Sequence, residues 1–311
     1  MTMKKIFLSI AAVVMTAGIL SAQDINAVTE VYNNGAMEIQ MGNLEAALGH
    51  FQNALGMAEA LGDEGAEIAA NCKSTIPALM LSMAKEMIKA DNYDGAIEQL
   101  NKTVEIATAF ENAEVTADAN ELLPQVFMQK GNTLIKAKDF AGAIAVFEEL
   151  TAADSTNAMA ALRLGMSYTS AGKIADAEKA YLLASRHGQE DQAFKQLSNV
   201  YVKQAAAALK AKKYADAVAA AEKSNKYLEN ATAYKVAGTA ASQLKKNEEA
   251  IAYLEKYLQL SPNAKDASQM IYTIAATAQT MGDKAKAKEY YQKITTDPKF
   301  GPTAQEMLKS L

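Results

Sequence analysis

The chain has 311 residues, half of them apolar, so it can bury a large core. Its sparse proline and lack of Trp, with Ala, Lys, Glu and Leu dominant, predict an all-helical protein. A single cysteine, Cys72, excludes an internal disulfide and a cysteine-built zinc site. The two histidines, His50 and His187, are too far apart to form a helical zinc motif.

The net charge of −5 conceals an asymmetry along the chain. Residues 23–158 carry 21 acidic and 7 basic residues, whereas residues 159–311 carry 15 acidic and 22 basic residues. Such a distribution can reflect ordinary solvated helix faces. It also suggests a bipolar molecule that self-associates through oppositely charged halves or orients on a charged partner.

The N-terminus is typical of a secretory signal peptide over residues 1–22. Lys4 and Lys5 are followed by an uncharged apolar run, Ile6 to Leu20, and then by the small pair Ser21-Ala22. The run is short for a membrane span, although a retained anchor is the alternative. These features predict an exported protein, located in the periplasm or outside a Gram-negative bacterium. Leu20, three residues before Gln23, is larger than the small residue that signal peptides usually have at that position, so the exact cleavage site is left open.

A small residue recurs where the second helix of each predicted helix pair begins. These anchors are Ala47, Ala96, Ala143, Ala177, Ala217, Ala250 and Ala287. Twelve residues before them lie Gly35, Ala84, Gly131, Gly165, Ala205, Gly238 and Ala275, and the pattern predicts close helix crossings there. Four residues after them lie Phe51, Leu100, Phe147, Tyr181, Ala221, Leu254 and Tyr291. All but Ala221 are large, so Ala221 predicts a thinner contact.

The spacing of the anchors is irregular, because the first two steps are longer than the rest. The excess lies in residues 56–76 and 108–123, which are either loose loops or added helix. Their richness in Ala, Glu and Leu favours longer second helices in the first two pairs. Pro77, Pro124 and Pro302 are predicted to stand at the start of first helices, where a missing N–H costs nothing. Residues 186–191 predict a polar loop with a kink, and residues 302–311 a short closing helix.

This pattern resembles the tetratricopeptide repeat family over roughly residues 28–301, most clearly around Leu164-Gly165-Met166-Ser167-Tyr168. The family's Trp near the start of each repeat is absent. The resemblance implies an all-α fold, a right-handed α-solenoid superhelix of about seven helical hairpins with a C-terminal closing helix. We expect a signal peptide over 1–22, acidic repeats with extended second helices over 23–157, basic repeats over 158–301 and the closing helix over 302–311.

The resemblance also implies a concave groove lined by first helices, which binds a peptide or a protein. By their phase, the groove candidates are Tyr32, Ala36, Lys85, Met128, Asn132, Met166, Lys203, Lys235 and Thr239. Some members of the family bind the C-terminal carboxylate of chaperone tails with Lys and Asn on first helices. Asn132 fits that set, but Met128 stands where a Lys is needed, and Arg163 and Lys203 do not complete it.

The sequence contains no phosphate-binding loop, serine-nucleophile elbow or paired His/carboxylate arrangement, so we expect no enzyme activity, cofactor or metal. Lysines such as Lys212 and Lys245 lie at helix ends without interleaved aromatics, which argues against nucleic acid. The main hypothesis is an interaction scaffold of the bacterial cell envelope. The alternatives are a glycan or peptidoglycan carrier and an accessory subunit of an envelope enzyme.

Overall fold

The computed structural model describes residues 25–311, and this part of the chain contains α-helices and no β-strand. The predicted signal peptide over residues 1–22 therefore lies outside the described residues. Fifteen α-helices follow one another along this part of the chain. No helix between residues 25 and 311 combines the length and the apolar character needed to cross a membrane.

Two compact units divide the chain, one ending at Ala137 and the other running from Lys138 to Leu311. The sequence placed the division between residues 157 and 158, at the change in charge. The helices of the first unit are α1 (Ile25–Met41), α2 (Leu44–Ala60), α3 (Ala66–Lys89), α4 (Tyr93–Ala109) and α5 (Ala113–Lys136). A short 3₁₀ turn, Gly62–Gly65, connects α2 to α3.

The second unit begins with α6 (Phe140–Ala153), α7 (Ala158–Ser170), α8 (Ile174–Ala184) and α9 (Glu190–Lys210). It continues with α10 (Tyr214–Tyr227), α11 (Ala231–Gln243), α12 (Asn247–Leu260), α13 (Ala267–Met281), α14 (Lys284–Gln292) and α15 (Gly301–Ser310). Between α8 and α9 the chain makes a π-helical turn with non-helical His187 and Gly188, so the predicted kink is confirmed.

The predicted registers agree with the burial of the side chains. All seven anchor alanines are at most 1% exposed, and the small residues twelve positions earlier are all buried. Five residues before every anchor the backbone has a positive φ. The seven residues are Gly42, Asp91, Lys138, Gly172, Lys212, Lys245 and Gly282. Each turn therefore passes through a left-handed residue, and the following helix begins two residues later.

The small residues of the first helices face large side chains rather than bare backbone. A Cβ on Gly165 would lie 2.6 Å from the ring of Tyr181, and one on Gly238 would lie 2.7 Å from the side chain of Leu254. Each glycine thus makes room for the large residue sixteen positions later in its own pair. At Ala221 the predicted thin contact is an alanine-rich cluster, in which Ala205 and Ala217 are also fully buried.

The prediction that second helices are extended is wrong. The second helices α2 and α4 end at Ala60 and Ala109, and the additional residues lengthen the following first helices, α3 and α5, to 24 residues each. The physical reason is that the chain reverses at Gly62 and Glu111, which have φ values of 62° and 56°, before most of the added residues are reached.

The proline predictions divide in the same way. Pro77 and Pro124 lie inside α3 and α5, not at helix starts, because these helices begin about eleven residues earlier than expected. Pro302 stands in the first turn of α15, as predicted. The closing helix α15 buries Ala304 and packs Met307, Leu308 and Leu311 against the last core cluster.

Candidate functional site

The predicted groove residues of the first unit lie in different environments. Lys85 is exposed on α3, whereas Tyr32 packs edge-on against Phe51 with ring centroids 5.2 Å apart. Ala36 packs against the same core cluster as Tyr32. Met128 and Asn132 are half-buried on α5. Of these five residues, the long side chain of Lys85 is the one presented most openly to a partner.

In the second unit the predicted residues are largely engaged within the protein. The Nζ atom of Lys235 lies 3.1 Å from Oδ2 of Asp266, and Thr239 donates a hydrogen bond to the carbonyl oxygen of Lys235. Met166 packs against a core cluster, and Lys203 is exposed. The binding role of all nine candidates stays a prediction.

Lys85 lines a groove of about 780 Å³ that lies wholly within the first unit. One wall is a face of α3, and the other is the α4–α5 turn with the start of α5. We call it the first-unit groove, and its lining residues are Ala70, Lys73, Ser74, Ala78, Leu81, Ser82, Lys85, Phe110, Glu111, Asn112, Ala113, Glu114, Val115 and Asp118.

The two walls of the first-unit groove carry opposite charge. Lys73 and Lys85 are twelve residues apart on α3, or about 18 Å at 1.5 Å per residue. Lys73 also pairs with Glu59, at 2.8 Å, whereas Lys85 forms no ion pair within residues 25–311. The facing wall presents Glu114 and Asp118, both exposed. The groove therefore offers cations on one side and carboxylates on the other, around a buried apolar floor.

The groove exists because α5 begins early and docks on α3. Asn112 caps α5 by accepting a hydrogen bond from the Val115 N–H, and its Nδ2 donates to the carbonyl oxygen of Ser74 at 3.4 Å. Sequence reasoning missed this wall. The signal was present, since Glu111-Asn112 repeats the turn pattern of Asp91-Asn92, with a left-handed residue followed by an Asn cap.

In the second unit, hydrogen bonds from tyrosine hydroxyls to carboxylates connect neighbouring helices. Glu178 on α8 accepts hydrogen bonds from Tyr201, from Tyr227 and from the Nζ atom of Lys223, the last at 2.8 Å. Tyr253 and Tyr290 make similar bonds, donated to carboxylates of the preceding second helix, Glu222 and Glu255. These contacts join α8 to α9 and α10, α10 to α12, and α12 to α14.

These bonds shift the pKa values of both partners. Burial tends to raise the pKa of Glu178, but the hydrogen bonds from Lys223, Tyr227 and Tyr201 outweigh it and hold that pKa below its ordinary value. Burial and the bond to Glu178 raise the pKa of Tyr227 to about 12. At neutral pH Glu178 is therefore a carboxylate surrounded by hydrogen-bond donors. Such an arrangement stabilises the contact between helices, and we call it the joint at Glu178.

Two other groups have a bearing on chemistry. Cys72 is fully buried in the first core cluster, and this burial raises the pKa of its thiol to about 11, so the thiol is protonated at neutral pH. Arg163 has a buried Nε without a hydrogen-bond partner among the described residues, and its Nη1 lies 3.8 Å from the Met166 sulfur. No group of three metal-ligating side chains occurs within residues 25–311.

Comparison with known proteins identifies the repeats. Two models described as tetratricopeptide repeat match the chain, one over residues 134–199 and the other over residues 231–264 and 268–296. No curated protein sequence matches the chain.

Solved structures of repeat proteins resemble parts of it. A MamA crystal structure is 19% identical, covers 59% of this chain and 96% of its own, and gives a TM-score of 0.37. A second MamA structure, from AMB-1, is 22% identical over 57% of this chain and 92% of its own, with the same TM-score. YrrB, described as a TPR protein with an unusual peptide-binding site, is 18% identical. It covers 60% of this chain and 91% of its own, with a TM-score of 0.34. Likenesses this weak do not indicate what this chain binds.

Proposed function

Since the chain belongs to the tetratricopeptide repeat family, we propose that it is a protein–protein interaction scaffold whose first-unit groove binds an extended peptide segment of its partner. The observation that carries this proposal is the groove of about 780 Å³ with lysines on one wall and carboxylates on the other. A rigid groove binds with little ordering cost in the protein, so the affinity depends mainly on the fit of the partner.

The opposite walls specify the chemistry of the peptide. A segment with an acidic residue facing Lys85 and a basic residue facing Asp118 satisfies both walls, whereas a segment of one charge satisfies only one. The apolar floor, which includes Leu81 and Val115, accepts an apolar side chain between the two charges. We therefore expect peptides of mixed charge with an apolar centre to bind best.

A peptide selection tests this function. The full chain would be screened against a random peptide library, and the selected peptides would be measured by fluorescence anisotropy against Lys85→Glu and Asp118→Lys. Each charge reversal should weaken binding about ten-fold, because it replaces attraction by repulsion at one wall. Lys89→Glu, on an exposed residue of α3 that does not line the groove, is the matched control. Peptides that bind all four proteins equally would refute the assignment of the groove.

Export to the cell envelope is a further part of the proposal, supported by Lys4, Lys5 and the apolar run that follows them. Fractionation of cells producing the full chain should place the protein in the periplasm or the medium, with an N-terminus near Gln23. A purified protein that retains Lys4 and Lys5 would overturn this part. Binding to purified glycan, and to no peptide, would favour the glycan-carrier alternative over the scaffold.

Self-association is proposed on the charge difference between the units. Residues 25–137 carry 16 acidic and 6 basic residues, and residues 138–311 carry 19 acidic and 23 basic residues. Attraction between unlike units of two copies should give a concentration-dependent increase in sedimentation at low salt, which is lost at high salt. A monomer at both ionic strengths would contradict it.

A further inference from the structure

A second groove of the first unit lies beside the α1–α2 turn and does not share residues with the first-unit groove. It measures about 660 Å³, and its lining residues are Gly42, Asn43, Leu44, Glu45, Ala46, Met83, Glu86 and Met87. One side is the turn with the first residues of α2, and the other is the last part of α3. We call this surface the methionine groove.

The apolar character of the methionine groove comes from flexible thioether side chains. Met83 and Met87 are four residues apart on α3, so they lie on one face of that helix. Next to the turn, α1 carries Met37 and Met41, also four residues apart, and their exposed fractions are 57% and 60%. These two have the highest exposure among the large exposed apolar side chains of the described residues. Unbranched thioether chains adapt to an incoming apolar surface, as in proteins that bind varied helices.

Carboxylates surround this apolar surface. Glu45 and Glu86 line the groove and are exposed, and neither forms an ion pair within residues 25–311. Glu38 accepts a hydrogen bond from Asn43 Nδ2 at 2.7 Å and likewise has no cationic partner in that range. Residues 25–65 contain six acidic residues and no Lys or Arg. Two lysines of α3 are near Glu86 in the sequence. Lys85 lines the first-unit groove, and Lys89 follows Glu86 by about one helical turn.

From this combination we infer that the methionine groove is a second docking surface, which binds a basic amphipathic helix of a protein partner. The apolar stripe of such a helix would lie on Met83, Met87 and Leu44, and its flanking lysines or arginines would pair with Glu45 and Glu86. The uncompensated carboxylates disfavour an acidic helix and also an anionic membrane surface, because both would meet like charge. The inference is independent of the first-unit groove.

A designed peptide tests the inference directly. The probe is a 16-residue labelled peptide with Leu at helical i, i+3, i+4 and i+7 positions and Lys on both flanks of the stripe. It is compared with a scrambled peptide and with one in which every Lys is Glu. The full chain should bind the probe and neither control peptide, and the affinity should fall as salt is raised.

Matched substitutions locate the binding. E45Q/E86Q should weaken binding of the probe about ten-fold, since it removes the two exposed charge pairs that Glu45 and Glu86 would form with lysines of the probe. E64Q/E121Q, which removes two exposed carboxylates elsewhere in the first unit, is the control and should leave binding unchanged. M83S, which changes a methionine that lines the groove, should weaken binding about three-fold, whereas M281S, on an exposed methionine of the second unit, should not.

Hydrogen exchange separates the remaining outcomes. With the probe bound, amide protection should increase at residues 42–46 and 83–87. Protection at residues 110–118 instead would overturn the inference while leaving the first-unit groove as the peptide site. Binding of the probe to E45Q/E86Q as tightly as to the wild type would also overturn it. So would a protein that binds anionic vesicles but does not bind the probe. A self-association abolished by E45Q/E86Q, with no binding of the probe, would show that the occupant is a second copy.

Discussion

The two units build the same kind of helix pair but connect successive pairs differently. In the first unit the connections pass through left-handed residues, Gly62 and Glu111. In the second unit two connections leave the preceding helix through an extended residue, Asp154 or Leu228, and a third leaves it through Ser261; their φ values are −140°, −154° and −143°. The fourth connection within that unit passes through Gly188, with φ of 95°.

The kind of connection goes with the length of the following first helix. After Gly62 and Glu111 come α3 and α5, with 24 residues each, and after Gly188 comes α9, with 21. After the three connections with a negative φ come α7, α11 and α13, with 13, 13 and 15 residues. The three longest first helices therefore follow connections with a left-handed residue, and the three short ones follow connections with a negative φ.

The difference has functional consequences. Both candidate grooves of the first unit use α3, and the first-unit groove also needs the early start of α5. The family models match residues within 134–199 and 231–296, where most first helices are short, and they match none of residues 25–133. The second unit instead holds eleven of the thirteen tyrosines, several of which bond to carboxylates of neighbouring pairs. The proposed binding surfaces therefore lie beside the two longest first helices, α3 and α5.

The largest expected effect compares equivalent glycines in the two units. Gly165→Ala should destabilise the second unit by about 2 kcal/mol, because the new Cβ would lie 2.6 Å from the enclosed Tyr181 ring. Gly35→Ala should change stability by less than about 0.5 kcal/mol. There the Cβ would lie 3.1 Å from Phe51, and the gain in helix propensity offsets the crowding.

Urea unfolding monitored by hydrogen exchange gives the free energy of unfolding of each unit in the two variants. Separate values are needed because the two units need not unfold together. Gly165→Ala should cost less in a Tyr181→Leu background than in the wild type, because the smaller side chain makes room for the methyl group. Equal effects of the two glycine substitutions would show that the pairs are packed alike in both units.

Removal of the joint at Glu178 should have the next largest effect. Glu178→Gln should destabilise the second unit by about 1–2 kcal/mol, because Lys223 loses its charge partner and one tyrosine hydroxyl loses its acceptor. Thermal unfolding checks the size, and Glu149→Gln, on an exposed residue of α6 without an ion pair in the described chain, is the control. A variant as stable as its parent would mean that the tyrosine bonds do not hold the pairs together.

The same carboxylate predicts a pH dependence. The pKa of Glu178 in the folded protein is held below its ordinary value of 4.5, so its contribution to stability is complete above that pH. The contribution is lost as the pH falls through the lowered pKa of the folded state. The stability of the wild type should therefore fall more steeply between about pH 5 and pH 3 than that of Glu178→Gln. Parallel acid profiles of the two proteins would argue against a lowered pKa.

The smallest effect tests the connections themselves. Glu111→Gly should stabilise the first unit by about 0.5 kcal/mol, because glycine adopts a positive φ without strain. Leu228→Gly should destabilise the second unit by about 1 kcal/mol, because extended backbone gains nothing from glycine and the unfolded chain becomes more flexible. Opposite signs in differential scanning calorimetry support the distinction between the connections, and equal signs contradict it.

Much of the helical framework could be predicted from the sequence. The spacing of Gly165, Ala177 and Tyr181 gives the register of one pair, and the same spacing recurs at all seven anchors because every pair must solve the same packing problem. The polar residues 186–191 and the closing helix were predictable for similar local reasons. The two grooves were not. The walls of the first-unit groove come from residues 70–85 and 110–118, whose contact depends on where α5 begins, and those of the methionine groove come from residues 42–46 and 83–87, which the fold brings together.

What the sequence determined by itself is the set of small and large residues that bring two helices of a pair together, because that contact joins positions sixteen residues apart. It also determined the uneven distribution of charge. Only the tertiary structure decided that the added residues lengthen α3 and α5, since the backbone at Gly62 and Glu111 selects which helix receives them. It likewise decided that Glu178 collects donors from α9 and α10, because a carboxylate's partners are chosen by the stacking of neighbouring pairs.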